Sequence, residues 1–311
     1  NDLMAKPFVK WAGGKRQLMS NIMRNLPPGF GTLPFRRYAE PFVGGGAVLF
    51  QLLDDGLIDE ALIIDDNSDL ILTYEVIKTN VVLLIEELHQ LQNEYDATND
   101  YSQRKEKYFS VRKMFRLGQN KNKDELSPAD KVKHASHFIY LNKVGFNGLF
   151  RVNANGEFNV PPSDLKTKNI FNENELQAIS KSLLKVEIKH GDFAECEEWI
   201  DDNTFVYFDP PYRPVTKTSF TAYSNSNFND SQQKRLAKFC TDLHNKGVKV
   251  MVSNSDPTEN KPEETFFEDI FPEPEFIIHK VQALRSINSN GAGRGKVSEL
   301  IITNYRSSLT E

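Results

Sequence analysis

Apolar residues follow two alternating patterns along this chain, and together they predict an α/β fold. Short runs of consecutive apolar residues predict buried strands at 38–42, 61–64, 186–189, 204–208, 248–252, 276–281 and 300–303. Apolar residues at helical spacing predict helices at 14–25, 47–53, 172–183 and 230–245. Strands that alternate with helices are typical of a mostly parallel sheet covered by helices.

The middle of the chain departs from this alternation. Helical spacing dominates at 70–78, 81–94, 101–117 and 128–141, and the polar stretch 118–125 predicts an exposed loop. Asn155-Gly156 then predicts a β-hairpin. We therefore predict a catalytic α/β domain formed by residues 1–68 and 173–311. A mostly helical domain that carries the hairpin is inserted at residues 69–172.

Composition narrows the class of protein. The chain has 311 residues, of which 39% are hydrophobic and 26% charged, with no apolar run long enough to span a bilayer. Cys196 and Cys240 are the only cysteines and the six histidines are scattered, so a disulfide framework or a metal site is not expected. We expect a cytoplasmic monomer without a metal or a membrane partner. The net charge of −5 argues against indiscriminate nucleic-acid binding but permits a local basic face.

The quartet Asp209-Pro210-Pro211-Tyr212 carries the strongest chemical signal. It follows a predicted buried strand, at the end where open α/β sheets bind ligands. The prolines remove two backbone donors, which leaves a carboxylate and carbonyl oxygens beside an aromatic ring. Such acceptors suit a planar ligand with an NH2 group, for example a nucleobase. A rigid turn without a ligand is the plainer interpretation.

A glycine loop, residues 41–46, lies between a predicted strand and a predicted helix. Asp65 ends the next strand about 20 residues later, a separation that suits a carboxylate bound to ribose hydroxyls. A dinucleotide fingerprint would require a third small residue where this chain has Leu49. The loop therefore favours an adenosine cofactor without pyrophosphate, and S-adenosylmethionine is the leading candidate. A tight strand-to-helix turn is the alternative for the loop taken alone.

Several long motifs, in this order, resemble Dam-type DNA adenine-N6 methyltransferases of the α group (D12 class), and the similarity covers nearly the whole chain. They are Phe8-Val9-Lys10-Trp11-Ala12-Gly13-Gly14-Lys15, Glu40-Pro41-Phe42-Val43-Gly44-Gly45-Gly46, Asp65-Asp66-Asn67-Ser68-Asp69-Leu70, the stretches 141–151 and 156–161, the Asp209 quartet, and Arg285-Ser286-Ile287-Asn288-Ser289-Asn290-Gly291. The resemblance implies a class I, Rossmann-like methyltransferase sheet with an inserted target-recognition domain.

The resemblance also implies roles for individual residues. The cofactor, S-adenosylmethionine, would be bound by Trp11, Ala12, Gly13, Lys15, Pro41, Phe42, Gly44, Gly45, Gly46, Asp65, Asp66 and Asp209. Double-stranded DNA, at a GATC site, would be bound by Lys10, Asn142, Phe146, Asn147, Leu149, Arg151, Asn153, Asn159 and Pro161. The catalytic residues would be Asp209, Pro210, Pro211 and Tyr212, and the product formed from the cofactor would be S-adenosylhomocysteine.

The chemistry of the DNA-side residues agrees with these roles. Arg151 can make a two-pronged contact to guanine, and Leu149 and Pro161 offer apolar contact to a thymine methyl group. Phe146 can stack where a flipped adenine leaves a gap. A hydrophobic cluster under a loop is the alternative for Phe146, Leu149 and Phe150. The chain departs from the family at 118–125, which is longer, and at Phe146, where relatives often carry tyrosine.

Rival functions stay open at this point. A methyltransferase that acts on RNA or on a protein glutamine shares the need for a planar NH2 substrate. A nicotinamide oxidoreductase would require a third small residue in the glycine loop, which this chain does not have. A non-catalytic DNA-binding module is a further alternative, and it would bind no cofactor. The Arg-bearing hairpin in a long insert favours DNA as the substrate. Whether the enzyme serves a restriction system, a phage or a host is not encoded in these motifs.

Overall fold

The structure is a computed structural model that describes residues 5–11, 18–215, 227–284 and 296–307. Its helices are α1 (Met19–Arg24), α2 (Ala47–Asp54), α3 (Ser68–Asp96), α4 (Tyr101–Gln119), α5 (Pro128–Val144), α6 (Glu173–Ser182), α7 (Asp230–Asn245) and α8 (Phe266–Ile270). Its strands are β1 (Arg37–Glu40), β2 (Glu60–Asp65), β3 (Val186–His190), β4 (Thr204–Phe208), β5 (Lys249–Ser255), β6 (Ile277–Leu284) and β7 (Lys296–Thr303).

The strands form one mixed sheet in the order β3-β2-β1-β4-β5-β7-β6. β1 pairs in parallel with β2 and β4, and β4 pairs in parallel with β5. β7 runs antiparallel to both β5 and β6. All five residues of β4 are buried, which explains its unbroken apolar run. The predicted α/β fold and its seven predicted strands are confirmed.

The predicted helix start at Ser127-Pro128 and the predicted break in α3 are present. Asn67 caps α3 by accepting hydrogen bonds from the backbone N–H groups of Asp69 and Leu70. Asn80 has non-helical backbone angles inside α3, at the break between the two predicted helices 70–78 and 81–94. Ser127 caps α5 ahead of Pro128. None of the helices in the described ranges is long and apolar enough to cross a membrane.

Two compact units make up the chain. The first comprises Asn1–Gly14, Val43–Asp55 and Ile64–Gly191, and in it α3 packs against α5 and α6. The second comprises Lys15–Phe42, Gly56–Ile63 and Asp192–Glu311, and in it α7 packs against β5. The domain limits at residues 69 and 172 stay a prediction.

The β-hairpin predicted at Asn155-Gly156 is present. Val152 pairs with Phe158, and the Asn153 N–H donates to the Glu157 carbonyl at 2.8 Å. Gly156 has a φ of +79°, so the loop is a three-residue turn with a glycine bulge. A second bridge, between Gly145 and Pro162, closes the segment. We call residues 145–162 the recognition hairpin after the role that the family resemblance implies, which stays a prediction.

The exposed loop predicted at 118–125 is wrong in part. Residues 120–122 are exposed, but α4 extends through Gln119 and a 3-10 turn forms at Lys123–Glu125. The Gln119 side chain donates to the buried carboxylate of Asp69 at 3.0 Å, and Lys123 Nζ forms an ion pair with the same carboxylate at 3.3 Å. The polarity of Gln119 and Lys123 therefore reflects an internal partner, whereas residues 120–122 are polar because they are exposed.

Candidate active site

The glycine loop is held by side chains of the first unit. The Gly44 N–H donates to Asp65 Oδ2 at 3.0 Å, and the Tyr74 hydroxyl donates to the Gly44 carbonyl at 2.7 Å. Gly44 has a φ of +50°, and a Cβ atom there would lie 2.7 Å from Trp11 Cδ1. Only glycine therefore lets the loop approach the Trp11 ring so closely.

Asp65 is a buried carboxylate at the end of β2. Besides Gly44, the Asn67 N–H donates to it, to Oδ1 at 3.0 Å. Burial raises the pKa of Asp65 to about 7, against the opposing effect of the two N–H donors. An ionised carboxylate has about four acceptor positions, so Asp65 can also accept hydrogen bonds from the hydroxyls of a ligand. The neighbouring Asp66 is exposed.

Trp11 lies between the glycine loop and the recognition hairpin. Its ring lies 5.6 Å from that of Phe150 and 6.1 Å from that of Phe138, and it is only partly exposed. A Cβ atom on Gly44 would meet the same ring, and one on Gly45 would lie 3.4 Å from the Cβ atom of Trp11. Trp11 thus offers a flat apolar surface beside a buried acceptor, which suits an adenosine-type ligand.

In the second unit, Pro41 and Phe42 continue from β1. Pro41 is buried. The Phe42 ring stacks on Phe193 at 5.3 Å and meets the edge of Phe228 at 5.4 Å. Phe42 is therefore one wall of an aromatic cluster.

The Asp209-Pro210-Pro211-Tyr212 quartet, which is predicted to be catalytic, follows β4, and its carboxylate is oriented by β5. The Ser253 hydroxyl donates to Asp209 Oδ1 at 3.1 Å and lies 2.8 Å from the Tyr207 hydroxyl. Tyr207 and Ser253 are both buried, so this pair fixes the carboxylate from inside the sheet. Asp209 itself is half-buried.

Two amide side chains hold the backbone of the quartet, and we call Gln233 and Asn254 the motif clamp. Gln233 Nε2 donates to the Pro211 carbonyl at 3.0 Å. Asn254 Nδ2 donates to Gln233 Oε1 at 3.0 Å, and Asn254 Oδ1 accepts the Arg213 N–H at 2.9 Å. The clamp satisfies polar groups on both sides of Tyr212 and restricts the loop to one conformation.

Tyr212 is restrained at its far end. Its hydroxyl donates to Glu299 on β7 at 3.1 Å, while the side chain remains partly accessible. A ring held at its hydroxyl keeps a fixed plane on which a planar ligand can stack. Ser253, Asn254, Gln233 and Glu299 were not predicted as site residues. Ser253 and Asn254 had a detectable signal, since they are polar residues directly after a predicted buried strand.

Asn142, a predicted DNA-binding residue, is buried and fully engaged. Its Oδ1 accepts the Lys10 N–H at 2.9 Å. Its Nδ2 donates to the Lys10 and Gly148 carbonyls, at 2.9 and 3.2 Å. Asn142 therefore connects the Lys10 backbone to Gly148 of the recognition hairpin, while the Lys10 side chain is exposed.

Phe146, Asn147 and Leu149 form an exposed turn. The exposed fractions are 48% for Phe146 and 38% for Leu149, high values for large apolar side chains. Asn147 takes the left-handed conformation, with a φ of +54°. Asparagine tolerates this conformation better than most residues. Phe146 and Leu149 are therefore presented to solvent, whereas Phe150 packs in an aromatic cluster, 5.8 Å from Phe138 and 5.6 Å from Phe158.

The remaining predicted DNA-side residues lie on the two arms of the hairpin. Arg151 is exposed, and its Nε lies 3.3 Å from Asn159 Oδ1. Pro161 is exposed as well, and its carbonyl accepts the Phe146 N–H at 2.9 Å. Asn153 Oδ1 is used inside the turn, where it accepts two backbone N–H groups.

Several predicted residues lie outside the described ranges. These are Ala12, Gly13 and Lys15 of the cofactor set and the motif at 285–291. Among the residues that the structure does describe, no group of three His, Cys, Asp or Glu side chains could hold a metal ion.

The sheet, the glycine loop and the acidic strand end are consistent with a Rossmann-like methyltransferase fold. Residues 11–287 match the D12 class N6 adenine-specific DNA methyltransferase family, and the chain belongs to this family. The resemblance inferred from the motifs is confirmed.

Three relatives are similar to this chain over almost their whole length. The type II methyltransferase M.MjaIII of Methanocaldococcus jannaschii is 47% identical over 302 residues, which are 96% of this chain and 99% of the relative. The type II methyltransferase M1.LlaDCHI of Lactococcus lactis subsp. cremoris is 36% identical over 98% of this chain and 97% of its own. A DNA adenine methylase of Vibrio cholerae is 33% identical over 95% of each chain.

Proposed function

We propose that this DNA adenine methyltransferase transfers a methyl group from S-adenosylmethionine to N6 of an adenine that is flipped out of double-stranded DNA, within GATC. The observation that carries the proposal is the clamped Asp209-Pro210-Pro211-Tyr212 quartet, in which acceptors and an aromatic ring are fixed beside each other. Family membership supports the choice of DNA adenine as the substrate.

The first unit supplies the residues proposed to hold the cofactor. Asp65 accepts hydrogen bonds from the ribose hydroxyls, and the backbone of Gly44 to Gly46 permits close approach of the ligand. Trp11 covers an apolar face of the adenosine. When bound, S-adenosylmethionine supplies a methyl group on a positively charged sulfur, and S-adenosylhomocysteine is left behind.

The quartet holds the adenine and prepares its amine. Asp209 and the Pro210 carbonyl accept hydrogen bonds from the N6 amine and concentrate its lone pair on nitrogen. Tyr212 stacks on the base in the plane that Glu299 fixes. With the cofactor bound, its methyl carbon would pass to N6, and the electron pair of the broken carbon–sulfur bond would stay on sulfur. The surplus N6 proton leaves through Asp209 to solvent, so alignment and electrostatics supply the acceleration.

The recognition hairpin reads the sequence in this proposal. Phe146 occupies the gap that the flipped adenine leaves in the base stack. Arg151 contacts guanine O6 and N7, and Leu149 and Pro161 contact thymine methyl groups. Their exposure supports these roles, because exposed apolar side chains clustered on a turn indicate a binding surface.

Methylation mapping tests the proposal. The protein is expressed with a plasmid in a host that lacks adenine methylation, and modified adenines are then located by sequencing. We expect modification at GATC and loss of modification with Asp209→Ala. Modified adenines at an unrelated sequence would reject GATC, whereas the absence of adenine methylation despite binding of S-adenosylmethionine in calorimetry would reject the reaction.

Arg151→Ala tests the reading role separately. We expect it to cost about 1–3 kcal/mol at the matched site and to relax discrimination at one base pair. Lys166→Ala is the control, because Lys166 is an exposed cation outside the hairpin. A uniform loss across matched and altered sites would indicate a phosphate contact instead of base reading.

A further inference from the structure

Gln119, at the last turn of α4, bridges two distant parts of the first unit. Its Nε2 donates to Asp69 Oδ2 at 3.0 Å, and its Oε1 accepts the Phe158 N–H of the recognition hairpin at 2.8 Å. Asp69 lies 50 positions before Gln119 and Phe158 lies 39 positions after it. One amide therefore joins the start of α3 to the second arm of the hairpin.

The Asp69 end of this bridge is rigid. Asp69 is buried in the first turn of α3, where His134 Nε2 lies 2.8 Å and Lys123 Nζ 3.3 Å from Oδ1. Burial opposes ionisation of Asp69, but the hydrogen bond from His134 and the charge of Lys123 outweigh it and hold the pKa of Asp69 below its ordinary value. Gln119 thus donates to a fixed, charged acceptor.

His134 is itself confined. Its ring stacks on Phe115 at 4.4 Å with an interplanar angle of 8°. On its other side, a Cβ atom at Gly118 would lie 2.3 Å from His134 Nδ1. The absence of a side chain at Gly118 is therefore what allows His134 to reach Asp69 beside Gln119.

Phe158, at the hairpin end of the bridge, directly precedes Asn159, which is the hydrogen-bond partner of Arg151. Besides the N–H held by Gln119, the Phe158 carbonyl accepts Arg116 Nε at 2.7 Å. Both backbone groups of Phe158 are thus fixed by α4. The next residue, Asn159, donates its N–H to the Arg151 carbonyl at 3.0 Å and offers Oδ1 to the Arg151 side chain.

The bridge is also connected to Asp65, the residue proposed to bind the ribose of the cofactor. Asn67, whose N–H donates to Asp65, also caps α3 through the Asp69 N–H at 3.1 Å. A chain of hydrogen bonds therefore runs from Asp65 through Asn67 and Asp69 to Gln119, and onward to the hairpin.

We propose that Gln119 is a specificity-determining positioning residue, which holds the recognition hairpin in the register that Arg151 needs by anchoring Phe158 to the Asp69 carboxylate. The inference rests on the proposed function, since it assigns base reading to Arg151. Gln119 touches neither the DNA nor the cofactor in this role.

The test begins with Gln119→Leu, which keeps the size of the side chain and removes both hydrogen bonds. Hydrogen exchange of the free protein should become faster in peptides covering 151–160 and stay unchanged in peptides of β4 and β5. Gln103→Leu is the matched control, because Gln103 is an exposed glutamine on the same helix. Unchanged exchange in the hairpin would overturn the anchoring role whatever the DNA specificity is.

The second measurement is methylation at the site that the wild-type protein modifies, compared with singly altered sites. Gln119→Leu should lower discrimination about tenfold at one base pair, with kcat at saturating DNA changed less than about threefold. Adding Gln119→Leu to Arg151→Ala should lower discrimination no further. Equal loss at every site, or additive losses in the double variant, would overturn the proposal.

A double variant that reverses the hydrogen bond between residues 69 and 119 tests whether sequence discrimination can be restored. Gln119→Glu alone places a second carboxylate against Asp69 and should behave like Gln119→Leu. Combined with Asp69→Asn it restores a donor and an acceptor, and discrimination should return. Failure of this rescue in a folded double variant would count against the bridge. If Arg151→Ala leaves discrimination unchanged, the base-reading role proposed for Arg151 fails. Hydrogen exchange in the hairpin still tests the anchoring role of Gln119 independently.

Discussion

The recognition hairpin and the catalytic quartet are both irregular backbone, but they are held in different ways. Side chains of one helix, α4, hold the second arm of the hairpin: Tyr108 and Arg112 donate to the Val160 carbonyl, and Arg116 and Gln119 bind Phe158. The quartet is held by the motif clamp and by residues of β5 and β7.

In the proposed function, this difference separates reading from chemistry. The second arm of the hairpin, which α4 holds, can shift when α4 changes, and such a shift would alter which bases are contacted. The quartet is tied to buried side chains of β5, so it cannot shift without disturbing the packed sheet beside it. We therefore expect substitutions around the hairpin to change selectivity and substitutions around the quartet to change kcat.

The largest effect is expected for Asp209→Ala. The change removes the carboxylate proposed to accept the target amine, and kcat should fall by about a hundredfold to a thousandfold or more. Single-turnover methylation assays measure this loss. The fold should survive, since Asp209 is half-buried at the end of β4. Turnover near that of the wild type would remove Asp209 from the chemistry.

Gln233→Leu should have the next largest effect. It releases the Pro211 carbonyl and leaves Asn254 without its acceptor, so the quartet loses its fixed conformation. We expect kcat to fall about tenfold to a hundredfold, with the KM for DNA nearly unchanged. Gln232→Leu is the control on the neighbouring position. A rise in KM for DNA without a fall in kcat would contradict the separation of reading from chemistry.

Cofactor affinity should depend on pH through Asp65. The pKa of this carboxyl is about 7 in the folded protein and about 4 in the unfolded chain. The ribose hydroxyls donate to the ionised form, so S-adenosylmethionine should bind about tenfold more tightly as pH rises from about 6 to about 8. Calorimetry across this range measures the change.

The same pKa gives the direction of the stability effect. Between about pH 4 and pH 7 folded Asp65 keeps a proton that the unfolded chain has released, so its contribution to stability is lost as pH rises through this window. Asp65→Asn should remove both pH dependences. A pH dependence of cofactor binding that persists in Asp65→Asn would assign the titration to another group.

The smallest effect is expected for Tyr108→Phe. The Tyr108 hydroxyl donates to the Val160 carbonyl at 2.8 Å, but Arg112 also donates to that oxygen at 3.3 Å. We expect a loss of about 1 kcal/mol in unfolding free energy, measured by thermal or urea unfolding. Tyr140→Phe is the matched control, because the Tyr140 hydroxyl is buried without a hydrogen-bond partner in the described part of the chain. An equal loss in both variants would show that the hydrogen bond contributes nothing.

The sequence predicted local features well. Buried strands, the break at Asn80, the capped start of α5 and the turn at Asn155-Gly156 all depend on neighbouring residues, and all are present. The quartet and the glycine loop could be found because their residue types are unusual at strand ends.

The supporting contacts could not be predicted. Gln119, Gln233 and Asn142 are polar residues on helices, and nothing in their neighbours marks them as internal. Their partners lie between 6 and 132 positions away, so only the packed chain shows why an amide is needed. The exposed loop predicted at 118–125 was wrong in part for this reason, because Gln119 binds the buried Asp69 carboxylate.

The double hydrogen bond between Asn142 and Lys10 bears on protein engineering. Asn142 binds the Lys10 backbone on both sides and also holds the Gly148 carbonyl. A hairpin transplanted from a relative with another recognition sequence would meet an amino-terminal segment shaped for the original turn. Functional chimeras should therefore exchange residues 5–11 together with 142–162, and grafts of the hairpin alone should be poorly active.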